Sequence, residues 1–563
     1  MDNWVMKTSD LLVKCLEVEG VNYIFGLPGE ETADLMISLL NSSAKFILTR
    51  HEQSAAFMAD VYGRLTGRVG VCLATLGPGA TNLTTGIASA NMDRSRVLAI
   101  TGQIDSNMLH KESHQNMDVI TMFKPITKWN QSIRNGDNIP EIVRRAFKIA
   151  MEEKAGATHI ELPQDVAKQQ SRIKPIGRQE EDVLLRSHPN RDLIVKAVKL
   201  ILQAEKPLVL VGNGCIRGNA SFHVRKFVEK TGISSVNTFM AKGVISDRWE
   251  RHLRTIGIKD ADHALIAMKE ADLVIAIGYD LVEYSPRFWN DDLTKKIIHI
   301  DFTPAEVDTY YPPDVEIAAD IELAINAILT ALERETRFKN TTVNYFVCSD
   351  VPETFKRIKK EIDERVQRYA DDLGYPIKPE RMIADVRRAL DDRDIVISDV
   401  GAHKLWIAKI YDTYYPNTCI ISNGFASMGF ALPGAIAAQL AFPERKVVAM
   451  CGDGGFLMNV QELETAVRLR LPIIIVIWCD KEFGVISLKQ IEEFGKKAFT
   501  EFNNPDFVKL ASSFGAIGYA VGSVNEFPNC LKKAKESKDI PVVISADVDY
   551  SRNKILLDDN YLG

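Results

Sequence analysis

From Thr8 onward, stretches whose apolar residues recur every three or four positions alternate with short apolar, β-branched runs. Leu11, Leu12, Val13, Cys15 and Leu16 predict a helix over residues 8–19, and residues 21–25 a strand closed by Gly26-Leu27-Pro28-Gly29. A helix over 32–40, a strand over 45–49 and a helix over 53–66 follow. After a strand at 69–75, the loop Gly77-Pro78-Gly79-Ala80-Thr81-Asn82 opens another helix, and residues 97–101 and 159–163 read as further strands, the last of this unit. Such βαβα alternation specifies a parallel sheet covered by helices on both faces.

Residues 170–190 are charged, proline-containing and aperiodic, which marks a linker. The alternation resumes at Asp192, with a helix to Ala204 and strands at 207–211, 233–236, 273–277 and 296–300. The turn Gly212-Asn213-Gly214-Cys215-Ile216-Arg217-Gly218 misses the G-x-G-x-x-G spacing, so it reads as a tight strand-to-helix turn and not as a dinucleotide fingerprint. Residues 332–376 are dense in charge and suggest a crossover, with a solvated helix over 356–371. A third α/β unit begins at Pro379, with a helix at 381–390, strands at 395–398 and 472–479, and a final strand at 541–546.

The chemistry concentrates in this third unit. An apolar run at 447–450 leads into Cys451-Gly452-Asp453-Gly454-Gly455 and then a helical pattern that carries Asn459 and Glu462. Glycines there let backbone N–H groups approach an anion, and the helix start adds the positive end of its dipole. Asp453 is a hard oxygen ligand of the kind Mg²⁺ takes beside a diphosphate. Asp480 ends the next apolar run, 27 positions on. On neighbouring parallel strands both carboxylates face the carboxyl edge, where such sheets bind ligands. In the first unit, Glu52 follows Arg50-His51; taken alone it is an acid at a helix start. His114-Gln115-Asn116-Met117-Asp118, taken alone, is a polar surface loop.

Length changes the picture: 563 residues exceed a single core and imply three or four domains. A formal charge of −6 argues against nucleic acid or an anionic membrane as the main partner. Eight scattered cysteines without a C-x-x-C pair, no signal-like N-terminus and no apolar run near membrane-spanning length predict a soluble cytoplasmic protein.

Gly26-Leu27-Pro28-Gly29, Arg50-His51-Glu52, Gly77 to Asn82, His114 to Asp118, Asp399-Val400-Gly401, Met428-Gly429 and Gly452-Asp453-Gly454 occur together in this order. In these signatures the chain resembles the acetohydroxyacid synthase family, the pyruvate-condensing branch of the thiamine-diphosphate enzymes. Gly278 to Tyr284 with Trp289-Asn290 is similar to the catabolic, flavin-independent branch. The resemblance implies three doubly wound parallel-sheet α/β domains: pyrimidine-binding (1–175), central (190–335) and diphosphate-binding (372–555). It implies thiamine diphosphate and Mg²⁺ as cofactors, pyruvate and related 2-keto acids as substrates, and a homo-oligomer, at least a dimer and in this family a tetramer. The active site would lie between the first domain of one subunit and the third of another.

By the same resemblance, Glu52 exchanges a proton with the cofactor's pyrimidine and Gln115 faces the reacting centre. Pro28, Gly29 and Asn82 complete the pyrimidine side. Val400, Gly401, Ala402, His403, Gly452, Asp453, Gly454 and Gly455 would surround the diphosphate, with Met428 wedged under the cofactor. Asp453, Asp480 and the backbone carbonyl of Glu482 would bind the metal, followed by Phe483, Gly484 and Val485. Two departures stand out. Asp480-Lys481 replaces the usual Asn-Asn, and Phe483 to Lys489 differs from relatives in the region that selects the acceptor. The middle segment also lacks the Gly-Ala-Arg-Phe-Asp-Asp-Arg-like run of flavin-binding members, so FAD is not expected. Another decarboxylase, carboligase or oxidase of the superfamily, or a catalytically silent subunit, are the alternative readings.

Overall fold

The computed structural model describes residues 4–177, 187–257, 263–337, 347–348 and 350–553. Three six-stranded sheets form, and every strand pair within them is parallel. In the first, the order is Lys45–Leu48, Tyr23–Gly26, Gly70–Ala74, Val97–Gln103, Ala157–Pro163, Trp129–Ser132. The central sheet runs His252–Thr255, Ser234–Asn237, Pro207–Val211, Leu273–Ile277, Lys296–Asp301, Val315–Ala318. The third runs Cys419–Ile421, Ile395–Ser398, Val447–Gly452, Ile474–Cys479, Val542–Asp547, Ile517–Val521. The central sheet reverses its strand order once, between Pro207–Val211 and Leu273–Ile277; each outer sheet reverses between its second and third strands and carries its last two strands in inverted order at the far edge. These are doubly wound arrangements with a crevice at the reversal.

Five strands beyond those expected complete the sheets at their edges: Trp129–Ser132, His252–Thr255, Val315–Ala318, Cys419–Ile421 and Ile517–Val521. The expected linker is partly structured, since Gln170–Ser171 pairs with Met6–Lys7; residues 178–186 of it lie outside the described residues. The helix expected to be solvated, Glu353–Arg368, buries Phe355, Ile358 and Ile362 on one face against the central domain.

The first and third domains share one hydrophobic core. Helix Glu52–Thr66 is buried along Ala55, Ala56, Phe57, Met58 and Ala59, and helix Ala431–Ala441 is small-sided and buried almost all round. The two pack together, with Phe57 against Phe430 at 5.5 Å between ring centroids. Small residues let helix backbones approach closely, and the joint burial removes both faces from water. The central domain joins them by polar contacts, among them Arg94 Nε to Asp280 at 2.8 Å. Among the described residues no helix is long and apolar enough to cross a membrane.

Candidate active site

The reversal in the third sheet falls between Ile395–Ser398 and Val447–Gly452, and a cavity of about 420 Å³ opens just beyond the carboxyl ends of these strands. Val400, Gly401, Ala402, His403, Met428, Gly452, Asp453, Gly454, Gly455, Asp480, Glu482, Phe483, Gly484 and Val485 all line it. Every third-domain residue expected at the site is therefore brought to one place. Ile486 and Lys489, from the segment that departs from relatives, join the lining, as do Lys404, Leu405, Ala426, Trp478 and Tyr550, which were not expected from sequence.

The acidic end is built by sheet register. Gly452 pairs with Trp478, so Asp453 and Asp480 follow adjacent strand ends. Asp453 accepts hydrogen bonds from the backbone N–H of Gly454 (2.8 Å), Asp480 (3.1 Å) and Lys481 (2.8 Å), and from Asn504 Nδ2 (2.7 Å). Burial and then the negative charge of Asp453 push the Asp480 carboxyl up to about 7. Two acidic side chains on adjacent strand ends are a donor set a divalent cation would neutralise, and hard oxygens suit Mg²⁺. The Glu482 carboxylate is turned to Lys497 (2.7 Å) and Thr500 (3.0 Å), so any ligand from this residue comes from its main chain. Accordingly, no group of three or more acidic, His or Cys side chains able to hold a metal occurs among the described residues. Lys481 meets the site through its N–H, with φ +58° and an exposed side chain.

Asp399 ties the cavity walls together. Its buried carboxylate accepts from Val400 N–H (2.7 Å), Gly429 N–H (2.9 Å) and Ala431 N–H (3.3 Å), and burial raises its pKa to about 6. Gly429 sits at φ +82°, and a side chain there would meet Asn459 Nδ2 at 2.7 Å. His403 is buried beside Trp478, and desolvation lowers its pKa to about 3, leaving a neutral ring. Asn459 and Glu462 clamp the first domain: Ser54 Oγ donates to Asn459 Oδ1 (3.1 Å), and Arg50 N–H to Glu462 (2.9 Å).

The segment bearing Met428 is held from the other two domains as well. Asp93 accepts from Ser422 Oγ (3.0 Å) and from the N–H groups of Asn423 and Gly424, while Arg64 bridges Asp93 (2.6 Å) and Asp60 (2.6 Å). Asn423 Nδ2 donates to the Glu283 carbonyl of the central domain at 2.8 Å. Replacing Asp93 by Ala leaves buried Arg64 with one carboxylate fewer and three donors unmet, at a cost of about 3–5 kcal/mol. A lowered urea midpoint for loss of the first and third domains together is the expected result. An unchanged midpoint would show the clamp to be idle.

A second cluster forms at the carboxyl edge of the first sheet, whose reversal lies between Tyr23–Gly26 and Gly70–Ala74. Glu52 opens its helix at 8 % exposure and accepts from Asn82 Nδ2 at 2.9 Å. Gly79 adjoins Glu52, and Gly77, at φ +49°, underlies Gln115, whose carbonyl would stand 2.7 Å from any side chain placed there. Gln115 itself has φ +57° and is exposed. Pro28 and Gly29 end the neighbouring strand loop; Pro28 is exposed, and Gly29 N–H donates to Thr32 Oγ1 at 2.9 Å. No first-domain residue lines the third-domain cavity, so the two clusters are separate within the chain.

Comparison with known proteins agrees with this division. Residues 6–122, 194–328 and 399–546 match the N-terminal TPP binding, central and C-terminal TPP binding domains of thiamine pyrophosphate enzymes. The chain is 36 % identical over 558 residues to "Acetolactate synthase" of Bacillus subtilis (strain 168), covering 98 % of this chain and 95 % of that one. It is 35 % identical to "Probable acetolactate synthase large subunit" of Methanococcus aeolicus (97 % and 92 % covered). It is 32 % identical to "Acetolactate synthase, catabolic" of Raoultella terrigena (98 % and 96 % covered). With all three domains matched and the cofactor edge of each outer sheet in place, the chain belongs to the thiamine pyrophosphate enzymes, in the acetolactate synthase family.

Proposed function

We propose that this protein is an acetolactate synthase that uses thiamine diphosphate and Mg²⁺ to convert two molecules of pyruvate into 2-acetolactate and CO₂. The observation that carries the reading is the cavity at the third sheet's reversal, with Asp453 and Asp480 at its acidic end, in a chain similar to acetolactate synthases from end to end. When bound, thiamine diphosphate supplies the electron sink for decarboxylation and carbon–carbon bond formation. The chain supplies placement and proton control. Asp453, Asp480 and the Glu482 carbonyl would hold the metal, and the start of helix Asp453–Met458 would favour the negative charge of a diphosphate. Val400, Ala402, neutral His403 and Met428 line the same cavity and would contact the cofactor. Glu52 would exchange a proton with the cofactor's pyrimidine, and Asn82 fixes the orientation of its carboxylate. Phe483 and Val485 give the cavity an apolar side.

The separation of the two half-sites supports a homo-oligomer, at least a dimer and by family a tetramer, in which Glu52, Asn82 and Gln115 of one copy complete the cavity of another. A flavin-independent enzyme is supported by the central domain. At its sheet reversal the Glu283 carboxylate accepts from Asn213 N–H (3.0 Å) and Asp280 N–H (3.2 Å), so the chain's own acid fills the crevice where a dinucleotide would lie. The eight unpaired cysteines are in keeping with a cytoplasmic protein.

The test is pyruvate turnover with thiamine diphosphate and Mg²⁺, without flavin, scoring CO₂, acetolactate and acetaldehyde. One acetolactate per CO₂, from protein without flavin absorbance, is the expected result. CO₂ with acetaldehyde alone would make it a 2-keto acid decarboxylase, and a turnover that requires added FAD would overturn flavin independence.

A further inference from the structure

The fold treats the two oxygens of the Asp453 carboxylate unequally. Oδ1 accepts one hydrogen bond, from the Gly454 N–H of its own turn at 2.8 Å. Oδ2 accepts three, from Asp480 N–H at 3.1 Å, Lys481 N–H at 2.8 Å and Asn504 Nδ2 at 2.7 Å. A carboxylate oxygen offers about two lone-pair sites, so three donors saturate Oδ2. Oδ1 is the oxygen with capacity left for a cation. Two of the donors to Oδ2 are main-chain groups at the neighbouring strand end. Asn504 is the side chain that donates to Asp453 among the described residues.

The place of Asn504 is fixed from both sides. Before it, Phe502 N–H donates to the Lys481 carbonyl at 3.0 Å, and the Phe502 ring packs on Phe483 at 5.0 Å between centroids. After it, Phe507 is buried edge-on against Phe456 at 5.8 Å, and Phe456 lies in the helix that Asp453 opens. Asp506 caps helix Phe507–Ser513 by accepting from Val508 N–H and Lys509 N–H, both at 3.1 Å. Moving Asn504 away from Asp453 would disturb these contacts. The amide has no other engagement: its Oδ1 is buried and accepts from no group of the described residues. Turned over, the amide would set that oxygen against Asp453 Oδ2, acceptor to acceptor, so the carboxylate decides its orientation. A buried acceptor without a donor is a cost to the fold. A side chain kept at that cost for one contact points to the contact as its role.

We propose that Asn504 is a positioning residue of the metal centre: by holding Asp453 Oδ2 it keeps Oδ1 free for the divalent cation and sets the affinity of the site. This rests on the functional reading above. Outer partners that orient a metal-binding carboxylate are each worth about 10–100-fold in metal affinity. Two main-chain donors stay on Oδ2 when Asn504 is replaced, which puts the expected loss at the lower end of that range.

The experiment measures binding of Mn²⁺, as a paramagnetic stand-in for Mg²⁺, by loss of its free EPR signal in the presence of saturating thiamine diphosphate. Pyruvate turnover is followed in parallel as Mg²⁺ is varied. Asn504→Leu keeps the volume of the side chain and removes the donor; Asn504→Ala removes the donor without any possible clash. The expected result is a Mn²⁺ Kd raised about tenfold in Asn504→Leu and raised also in Asn504→Ala. The Mg²⁺ concentration for half-maximal turnover should rise with it, while kcat at saturating Mg²⁺ and KM for pyruvate stay near the parent's. An unchanged Mn²⁺ Kd in a folded variant overturns the proposal, and a lowered urea midpoint alongside it would make Asn504 a residue of the fold alone. A loss of kcat that saturating Mg²⁺ does not restore also overturns it. A parent protein that binds no Mn²⁺ with the cofactor present overturns the functional reading, and that outcome is separate from equal binding by parent and variant.

Discussion

Glu52→Gln is expected to lower pyruvate turnover by about 10²–10⁴-fold, the range for loss of a general acid–base group, while leaving the fold in place. Glutamine has the same shape, and its carbonyl oxygen can still accept from Asn82 Nδ2, now at 2.9 Å from the Glu52 carboxylate. In the N-cap contact that starts the helix, Gln53 N–H donates to His51 Nδ1 at 3.1 Å, and the carboxylate is not involved. What glutamine cannot do is release and recover a proton. The loss should therefore appear in kcat, with thiamine diphosphate affinity changed little, and thermal unfolding should match the parent. Near-normal kcat would remove Glu52 from the proton path.

Asp453→Asn should abolish cofactor retention rather than slow a single step. The parent carboxylate gathers four donors and stands beside Asp480 on the next strand end. An amide has one acceptor oxygen in place of two and no charge for a divalent cation, so metal affinity should fall by at least about 100-fold. The direct readout is stabilisation. At about one hundred times its Kd, thiamine diphosphate with Mg²⁺ should raise the parent's stability by about 2.7 kcal/mol, and chelation should erase that gain. The variant should show no gain at the same concentrations. Equal stabilisation in parent and variant would mean that Asp453 is a turn-capping residue only.

Much of this site could be read before any coordinates, for reasons that differ between its parts. The Asp453–Asp480 pair was legible because a parallel sheet turns a spacing along the chain into neighbouring strand ends. Glycine-rich turns and strongly apolar strands, such as 273–277 and 474–479, declare themselves by composition. Trp129–Ser132 did not, because a polar edge strand of Trp-Asn-Gln-Ser shows no alternation. Cys419–Ile421 is three residues long and carries no period. Asn459 and Glu462 belong to the motif, yet their side chains face the first domain, an orientation set by packing between domains. Asn504 supplies a hydrogen bond to Asp453 from 51 positions away, and no local pattern marks it. Lys489 was visible only as a departure from relatives until the fold placed it in the cavity wall.

The core shared by the first and third domains has a consequence for synthesis. Arg50 reaches Glu462 across 412 positions, and Ser54 reaches Asn459 across 405. As the chain leaves the ribosome, the helix face that bears Ser54, Phe57 and Val61 lacks its third-domain cover until residues 430–459 have followed. At about 5–20 residues per second, that wait lasts tens of seconds. During it the N-terminal domain presents a bare apolar helix face of the kind that holdase chaperones bind, and nascent chains truncated before residue 430 should be captured by them far more than chains that extend beyond 470.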